Sequence, residues 1–514
     1  MAMYKPGPLR TILFLLAILK FILPFILQNS FYQLHRDEYL YLAEGKHLAW
    51  GFMEVPPMLS VLAWITNVFG AGSFWVKIWP ALFGALTFLM VGKIVLSLKG
   101  NLFALILAWL PFVVDGYMRL FFLFHPNFLD VFFWTLMAFS LFNYIQTHQN
   151  KWLQLFGIAA GLGMMSKYSV AFYTVSLLAG VLMTRERKIF LNKHFYYGCG
   201  IGLLIFLPNI IWQYNHRFPV VHHMGELQEE QLKYNSAVGF IISQLLMNFP
   251  CVLTWIAGLF FVFRSSTRSF RIFGWAYFFV IVLLIVSRGK DYYALGAYPV
   301  LFAFGAINLE RLTSVRFKWV RYATLAFSMV FGLVGFPLIL PVAKPETLAK
   351  YYDVTGMNKT FKWEDQKLHP LPQDFGDMIG WKELSEKTGA VYNNLSPEQR
   401  AKTMVYCRGY FTAGALNYYW EKEGLPEVYS DNASFLFWMP DTYNINNLIL
   451  VAHNIPDKDD IVFQQFQEMT IKDSIEMPLF RETGMKIILF ENGNDSLNRL
   501  IEKSVAQLKS EFMR

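Results

Sequence analysis

Charged side chains are scarce in this 514-residue chain: 16% of its residues are Asp, Glu, Lys or Arg, while 55% are hydrophobic. A soluble protein carries roughly 25% charged residues. The deficit, with a mean hydropathy of +0.34, excludes an ordinary soluble globule and indicates a membrane protein. Cysteine is nearly absent as well. Cys199 and Cys251 lie in apolar runs and Cys407 stands alone further on, which leaves neither a disulfide framework nor a CxxC metal pattern. There is no P-loop, no GxGxxG between a strand and a helix, no HExxH and no GxSxG. Nucleotide hydrolysis and serine-hydrolase chemistry therefore find no support, and any donor is better sought in the membrane than among soluble nucleotides.

What the chain has in abundance is long apolar runs. A helical span needs about 20 mostly apolar residues, and eleven candidates follow: 10–28, 74–97, 102–116, 128–147, 153–166, 168–184, 195–213, 238–263, 272–288, 291–309 and 319–342. The first, led by Lys5 and Arg10, lacks a small-residue cleavage site and reads as a retained helix rather than a signal peptide.

The net charge of +8 does not point to nucleic acid, because the basic residues sit in short loops between apolar runs. With the N-terminus inside, Lys99, Lys151, the Arg185/Arg187/Lys188/Lys193 stretch, Arg264/Arg268/Arg271 and Arg311/Arg316/Lys318/Arg321 all fall on the cytoplasmic side. That is the positive-inside pattern. Residues 1–343 then form a membrane domain with a first outer loop at 29–73, and residues 344–514 lie outside.

The outer remainder is rich in Asp, Glu, Lys and Asn. Short apolar stretches (Thr403–Tyr406, Leu448–Ala452, Lys486–Phe490) alternate there with helix-like ones (411–422, 495–512), which predicts a small soluble α/β domain. In the first outer loop, 37–50 and 57–70 are too polar or too short to span and are expected to lie along the surface as helices.

Under this topology the ionisable residues gather on one side. Arg36, Asp37, Glu38, Glu54, Arg119, Asp130, Lys167, His222, His223, Arg288, Lys290 and Asp291 all fall at outer loops or at span ends facing them. Singly, each is explained by snorkelling to the interface; as a set they point to a site. Asp37 and Glu38 follow the first span directly, where an adjacent acidic pair is ordinarily just solvated. Asp130 heads an otherwise apolar helix, either as a carboxylate favouring the helix dipole or as a group turned to a shared pocket. Lys167, interrupting an apolar stretch, calls for an anionic partner. Arg288 and Lys290 beside Tyr292 and Tyr293 make either a phosphate clamp or an ordinary basic-aromatic belt. His222, His223 and Glu54 form a candidate divalent-metal set, although adjacent loop histidines are more often unliganded.

Seven stretches, in order, carry a resemblance: RDEYLYLAEGKHLAWGFMEVPPM at 36–58, FLDVFFW at 128–134, GLGMMSKYSVAF at 161–172, FLPNIIWQ at 206–213, RGKDYYALGAYPVLFAFGA at 288–306, DMIGWKEL at 377–384 and AGALNYY at 413–419. In these the chain resembles the bacterial branch of glycosyltransferase family 39, the C-type membrane glycosyltransferases related to protein O-mannosyltransferases and lipid A aminoarabinose transferases. It departs from the family at MEVPP, where an Asp-Gln is expected before the prolines.

The resemblance implies a C-type glycosyltransferase fold of about eleven spans in a bacterial inner membrane. It also implies transfer of a sugar from a polyprenyl-phosphate donor to an acceptor hydroxyl on a glycolipid, polysaccharide or protein, with inversion. Asp37 matches the family's catalytic aspartate, with Glu38 beside it; Asp130 matches the second acidic position and Lys290 the position expected to hold the donor phosphate. No cofactor is required by such a reaction, and a metal is optional. A transporter or flippase of lipid-linked sugars is the competing class; it should show repeated halves or paired broken helices, and the sequence shows neither.

Overall fold

The computed structural model describes residues 7–512 apart from Gln231 and Lys458; Lys5, counted above among the basic residues before the first span, lies outside them. The chain divides into two compact units. The first comprises residues 1–28, 77–210 and 224–342, and the second residues 29–76, 211–223 and 343–514.

The first unit is helical. Seven helices are long and apolar enough to cross a membrane: Gly7–Leu27, Ser73–Ser97, Pro126–Thr147, Lys193–Asn215, Thr267–Val286, Asp291–Leu312 and Trp319–Ile339. An eighth candidate is the pair Ala237–Met247 and Phe249–Phe263, bent by 68°. The bend falls where Pro250 follows Asn248 and Phe249, since a proline can neither donate to the helical ladder nor leave room for the preceding turn.

The three remaining expected spans are helices of less than spanning length. The 102–116 segment forms Leu102–Trp109 and Pro111–Val114, while 153–166 and 168–184 form Lys151–Met164 and Val170–Leu182, of 14 and 13 residues. Hydropathy alone does not register where such runs are interrupted.

Two of these helices approach very closely. A Cβ on Gly157 would lie 2.1 Å from the backbone of Gly198, and one on Gly161 would lie 2.5 Å from the Gly202 carbonyl oxygen. Both helices thus present a Gly-x-x-x-Gly face, which lets backbones meet where apolar side chains gain nothing over lipid.

The second unit contains a five-stranded sheet ordered β2-β1-β3-β5-β4, with β1 Thr403–Cys407, β2 Val428–Tyr429, β3 Asn447–Ala452, β4 Phe466–Ser474 and β5 Lys486–Gly493. β1 runs parallel to β2 and β3, and β5 runs antiparallel to β3 and β4. Every residue of β3 is buried, as expected for a continuous apolar central strand. The edge strand β4 is mostly exposed and polar, so its composition hides it. Leu448, Leu450, Ile488 and Phe490 pack against Leu497, Ile501 and Val505 of the helix Leu497–Phe512.

Outside the sheet this unit holds the helices Arg36–Glu44 and Met58–Val68. Gly414, in the AGALNYY stretch, admits helix Arg36–Glu44 against helix Tyr410–Trp420, because a Cβ there would lie 3.1 Å from the backbone of Tyr39. Cys199, Cys251 and Cys407 are all free thiols.

Candidate active-site residues

In the second unit the site is organised by the start of helix Arg36–Glu44. His35 is its N-cap: its Nδ1 accepts from the Asp37 amide, and the Glu38 carboxylate accepts the His35 amide at 2.8 Å. This reciprocal capping box satisfies amides that the helix cannot. Glu38 is fully buried in that role, which distinguishes it from Asp37.

Asp37 keeps 24% of its side chain exposed. Its Oδ1 accepts a 2.8 Å hydrogen bond from the Tyr410 hydroxyl and lies 3.4 Å from Arg36 Nε. Burial pushes the Tyr410 phenol well above its ordinary range, so it stays protonated and remains a donor.

Arg36 in turn lies 3.1 Å from Glu364 and 3.7 Å from Asp377, and Arg481 joins the same two carboxylates at 2.8 and 3.2 Å. Burial pushes the Asp377 carboxyl up to about 7, against the pull of Arg36 and Arg481. Sequence reasoning assigned no role to Tyr410, Asp377, Glu364 or Arg481. Asp377 does open the DMIGWKEL stretch, which was the one available signal.

Among the described residues, the expected metal set of His222, His223 and Glu54 is not one of the groups whose possible ligand atoms come together. Both Glu54 oxygens accept from Ser434, through its amide and its hydroxyl, and His222 packs edge-on against Phe512. Within this unit the residues that bring possible ligand atoms within 4.8 Å of one another are His35, Asp374 and Asp377. Arg36 and Arg481 already supply positive charge to that carboxylate cluster.

A cleft of about 340 Å³ also lies in this unit, lined among others by Lys46, His47, Asn67, Tyr418 and Trp438. His47 stacks on Trp438 with ring centroids 4.2 Å apart, and Asn67 Oδ1 is buried without a hydrogen-bond partner.

In the first unit Asp130 is buried in helix Pro126–Thr147. It sits beyond the first turn, where the helix-dipole effect has faded, so the dipole alone does not account for it. It interacts electrostatically with Lys167 and neighbours Ser169 and Trp134. Ser169 and Trp134 are, like Asp130, buried, and they are the polar neighbours of its carboxylate.

The Lys167 ammonium donates to Asn127 Oδ1 at 2.6 Å and sits 3.9 Å from the Tyr293 ring centroid and 5.6 Å from that of Tyr292. Lys290 is close enough to repel it. Asp130, Lys167, Lys290, Tyr292 and Tyr293 are therefore brought together, with a local surplus of positive charge. Arg288 is not part of this group. It is exposed, in a left-handed backbone conformation (φ 51°), with Nη1 3.4 Å from the Lys233 carbonyl oxygen. Gly296 seats this segment on helix Pro126–Thr147, since a Cβ there would lie 2.6 Å from the Trp134 ring.

Comparison with known proteins agrees with this architecture. Residues 54–212 match the family described as dolichyl-phosphate-mannose-protein mannosyltransferase. No curated protein sequence matches the chain. Among solved structures, ArnT from Cupriavidus metallidurans bound to undecaprenyl phosphate is similar over 95% of this chain and 98% of its own, with a TM-score of 0.62 and 12% identity. The apo state of the same protein has equal coverage and TM-score, with 14% identity. The chain is a polytopic membrane protein with the C-type glycosyltransferase fold. The family resemblance read from its sequence is borne out, and membrane glycosyltransferase is the class that family model and fold together support.

Proposed function

We propose that this protein moves a sugar from a polyprenyl-phosphate donor to an acceptor hydroxyl at the outer face of a bacterial inner membrane, with inversion. One observation carries the proposal: two lysines, Lys167 and Lys290, stand beside Tyr293 and Asp130 in a chain whose fold is that of a protein crystallised with undecaprenyl phosphate. Two ammonium groups against one carboxylate leave a net positive charge, and with an aromatic support this suits a lipid phosphate.

The reaction needs two functions. A base takes the acceptor proton as that oxygen attacks the anomeric carbon, and positive charge meets the negative charge growing on the departing phosphate. We assign the first to Asp37, the partly exposed carboxylate beside Tyr410. The second falls to Lys290 and Lys167, with Tyr292 and Tyr293 as their support. Asp130 orients Lys167. Glu38, spent on the capping box, is a positioning residue. The lipid phosphate is a competent leaving group, so the proposal invokes no cofactor.

The second unit is assigned to acceptor recognition. Its polar and aromatic cleft suits a polyhydroxylated acceptor, on a glycolipid, polysaccharide or protein, better than a bare apolar one. We assign residues 344–514 to the outer side on the distribution of the basic loops, and protease added to intact spheroplasts should remove them; full protection would reverse the orientation.

The deciding experiment supplies the purified protein with radiolabelled polyprenyl-phosphate sugars and envelope fractions. Label is expected in an acceptor fraction. The 68° bend at Asn248 is the feature that favours a flippase, although only one such break occurs among the described residues. Movement of labelled donor across reconstituted vesicles with no transfer would replace the glycosyltransferase reading by that one.

A further inference from the structure

A second concentration of charge lies in the first unit, away from the residues discussed above. Leu182, Met183, Thr184, Arg185, Arg187, Arg268, Arg271 and Trp275 line a cleft of about 430 Å³. Arg185 and Arg187 belong to the 3-10 turn Arg185–Leu191 that follows helix Val170–Leu182. Arg268 and Arg271 precede and open helix Arg271–Val286.

Among the described residues no carboxylate forms an ion pair with any of the four guanidiniums. Arg271 Nη2 donates to the Phe263 carbonyl, while its Nε is buried without a hydrogen-bond partner. Four like charges around one cleft repel one another. The positive-inside tendency accounts for basic residues in these loops. It does not account for their convergence on one cleft or for the orphaned Nε.

We propose that this cleft holds the phosphate headgroup of an anionic membrane phospholipid. The guanidinium fork matches phosphate oxygens in pairs, and basic pockets between membrane helices take such headgroups. The rim decides between a lipid and a free anion. Leu182 and Met183 are 59% and 57% exposed, and Trp275 lies beside them, so the arginines are bordered by apolar surface fit for acyl chains. A free phosphate ion would gain nothing from that border. The assignment concerns the membrane around the enzyme rather than its donor, and it holds whichever reaction the protein performs.

Native mass spectrometry of the detergent-purified full chain, offered equimolar cardiolipin and phosphatidylcholine, tests the proposal. Cardiolipin should be retained preferentially. Each arginine is worth about fivefold, so Arg185→Ala with Arg268→Ala should lower the preference roughly twentyfold. Both side chains are exposed, and the single change Arg268→Gln gives the same readout if the pair is unstable. Inorganic phosphate at matched concentration should not displace the lipid. Equal retention of the two lipids by the unaltered protein, an unchanged preference in the variants, or displacement by inorganic phosphate would each overturn the assignment.

Discussion

Tyr410 donates its hydroxyl proton to Oδ1 of Asp37 across 2.8 Å, a contact between residues 373 positions apart in the sequence. It holds Oδ1, the oxygen that also lies 3.4 Å from Arg36 Nε, whereas Oδ2 lies 3.9 Å from His35 Nδ1; about a quarter of the side chain stays exposed. Glu38, one residue further, has no comparable freedom, because its carboxylate closes the helix cap.

The two acidic residues should therefore separate cleanly on mutation. Asp37→Asn is expected to lower the transfer rate by about 10²–10⁴-fold, the usual contribution of a positioned base, with donor affinity and expression unchanged. Glu38→Gln keeps a capping acceptor and should retain near-normal turnover, whereas Glu38→Ala should lower thermal stability by about 1 kcal/mol, the worth of a cap. Steady-state kinetics and melting curves on the three purified variants check the separation. Normal turnover in Asp37→Asn would remove it from the mechanism.

The first-unit lysines should behave differently from the neighbouring arginine. Lys290→Ala and Lys167→Met are each expected to weaken binding of undecaprenyl phosphate by about tenfold, the loss of one charge-assisted hydrogen bond of roughly 1.5 kcal/mol. Arg288→Ala should change it little, since Arg288 turns to the Lys233 carbonyl. Adding it to Lys290→Ala should not deepen the defect. Isothermal titration with the lipid measures all four; a large effect of Arg288 alone would restore it to the donor site.

Buried Asp377 carries a pH dependence of definite sign. Its carboxyl is raised from the ordinary 3.8 to about 7. Between those values the unfolded chain has released the proton while the folded unit retains it, so stability is full below about pH 4 and falls as pH rises to about 7. The melting temperature of the second unit should drop between pH 5 and pH 8. Asp377→Asn, whatever its absolute stability, should flatten that slope. An identical slope in the variant would assign the dependence to other groups.

How far the sequence reveals this arrangement depends on whether a residue acts locally. Most spans and the strands β1, β3 and β5 rest on periodicity and runs of apolar residues, which are local properties, and they are legible. The interruptions within 102–116 and after Met164 are not, because helix breaks add little to an averaged hydropathy. Lys167, Lys290, Tyr292 and Tyr293 stand out as polar residues in apolar surroundings. Asp377, Glu364 and Arg481 do not, since a charged residue in a polar stretch looks the same whether it is solvated or buried under Arg36. His222, His223 and Glu54 show the converse: residue types suited to a metal, of which Glu54 accepts from Ser434 and His222 packs on Phe512.

The helix pair at Gly157/Gly198 and Gly161/Gly202 offers a test of the membrane domain that is independent of chemistry. A side chain at Gly161 would meet the Gly202 backbone at 2.5 Å, and one at Gly202 would meet the Gly157 carbonyl oxygen at 2.4 Å. Neither contact involves a flexible side chain that could yield, so the helices must separate. Gly161→Val and Gly202→Val should each reduce the yield of monodisperse protein in detergent and lower its melting temperature, by about 1–3 kcal/mol of overpacking. Gly200 is the internal control, because it lies two residues from both Gly198 and Gly202 on the same helix yet has nothing within 4 Å of its would-be Cβ. Gly200→Val should be tolerated. Equal sensitivity at Gly200 and Gly202 would mean that helix propensity, not the close approach, governs this pair.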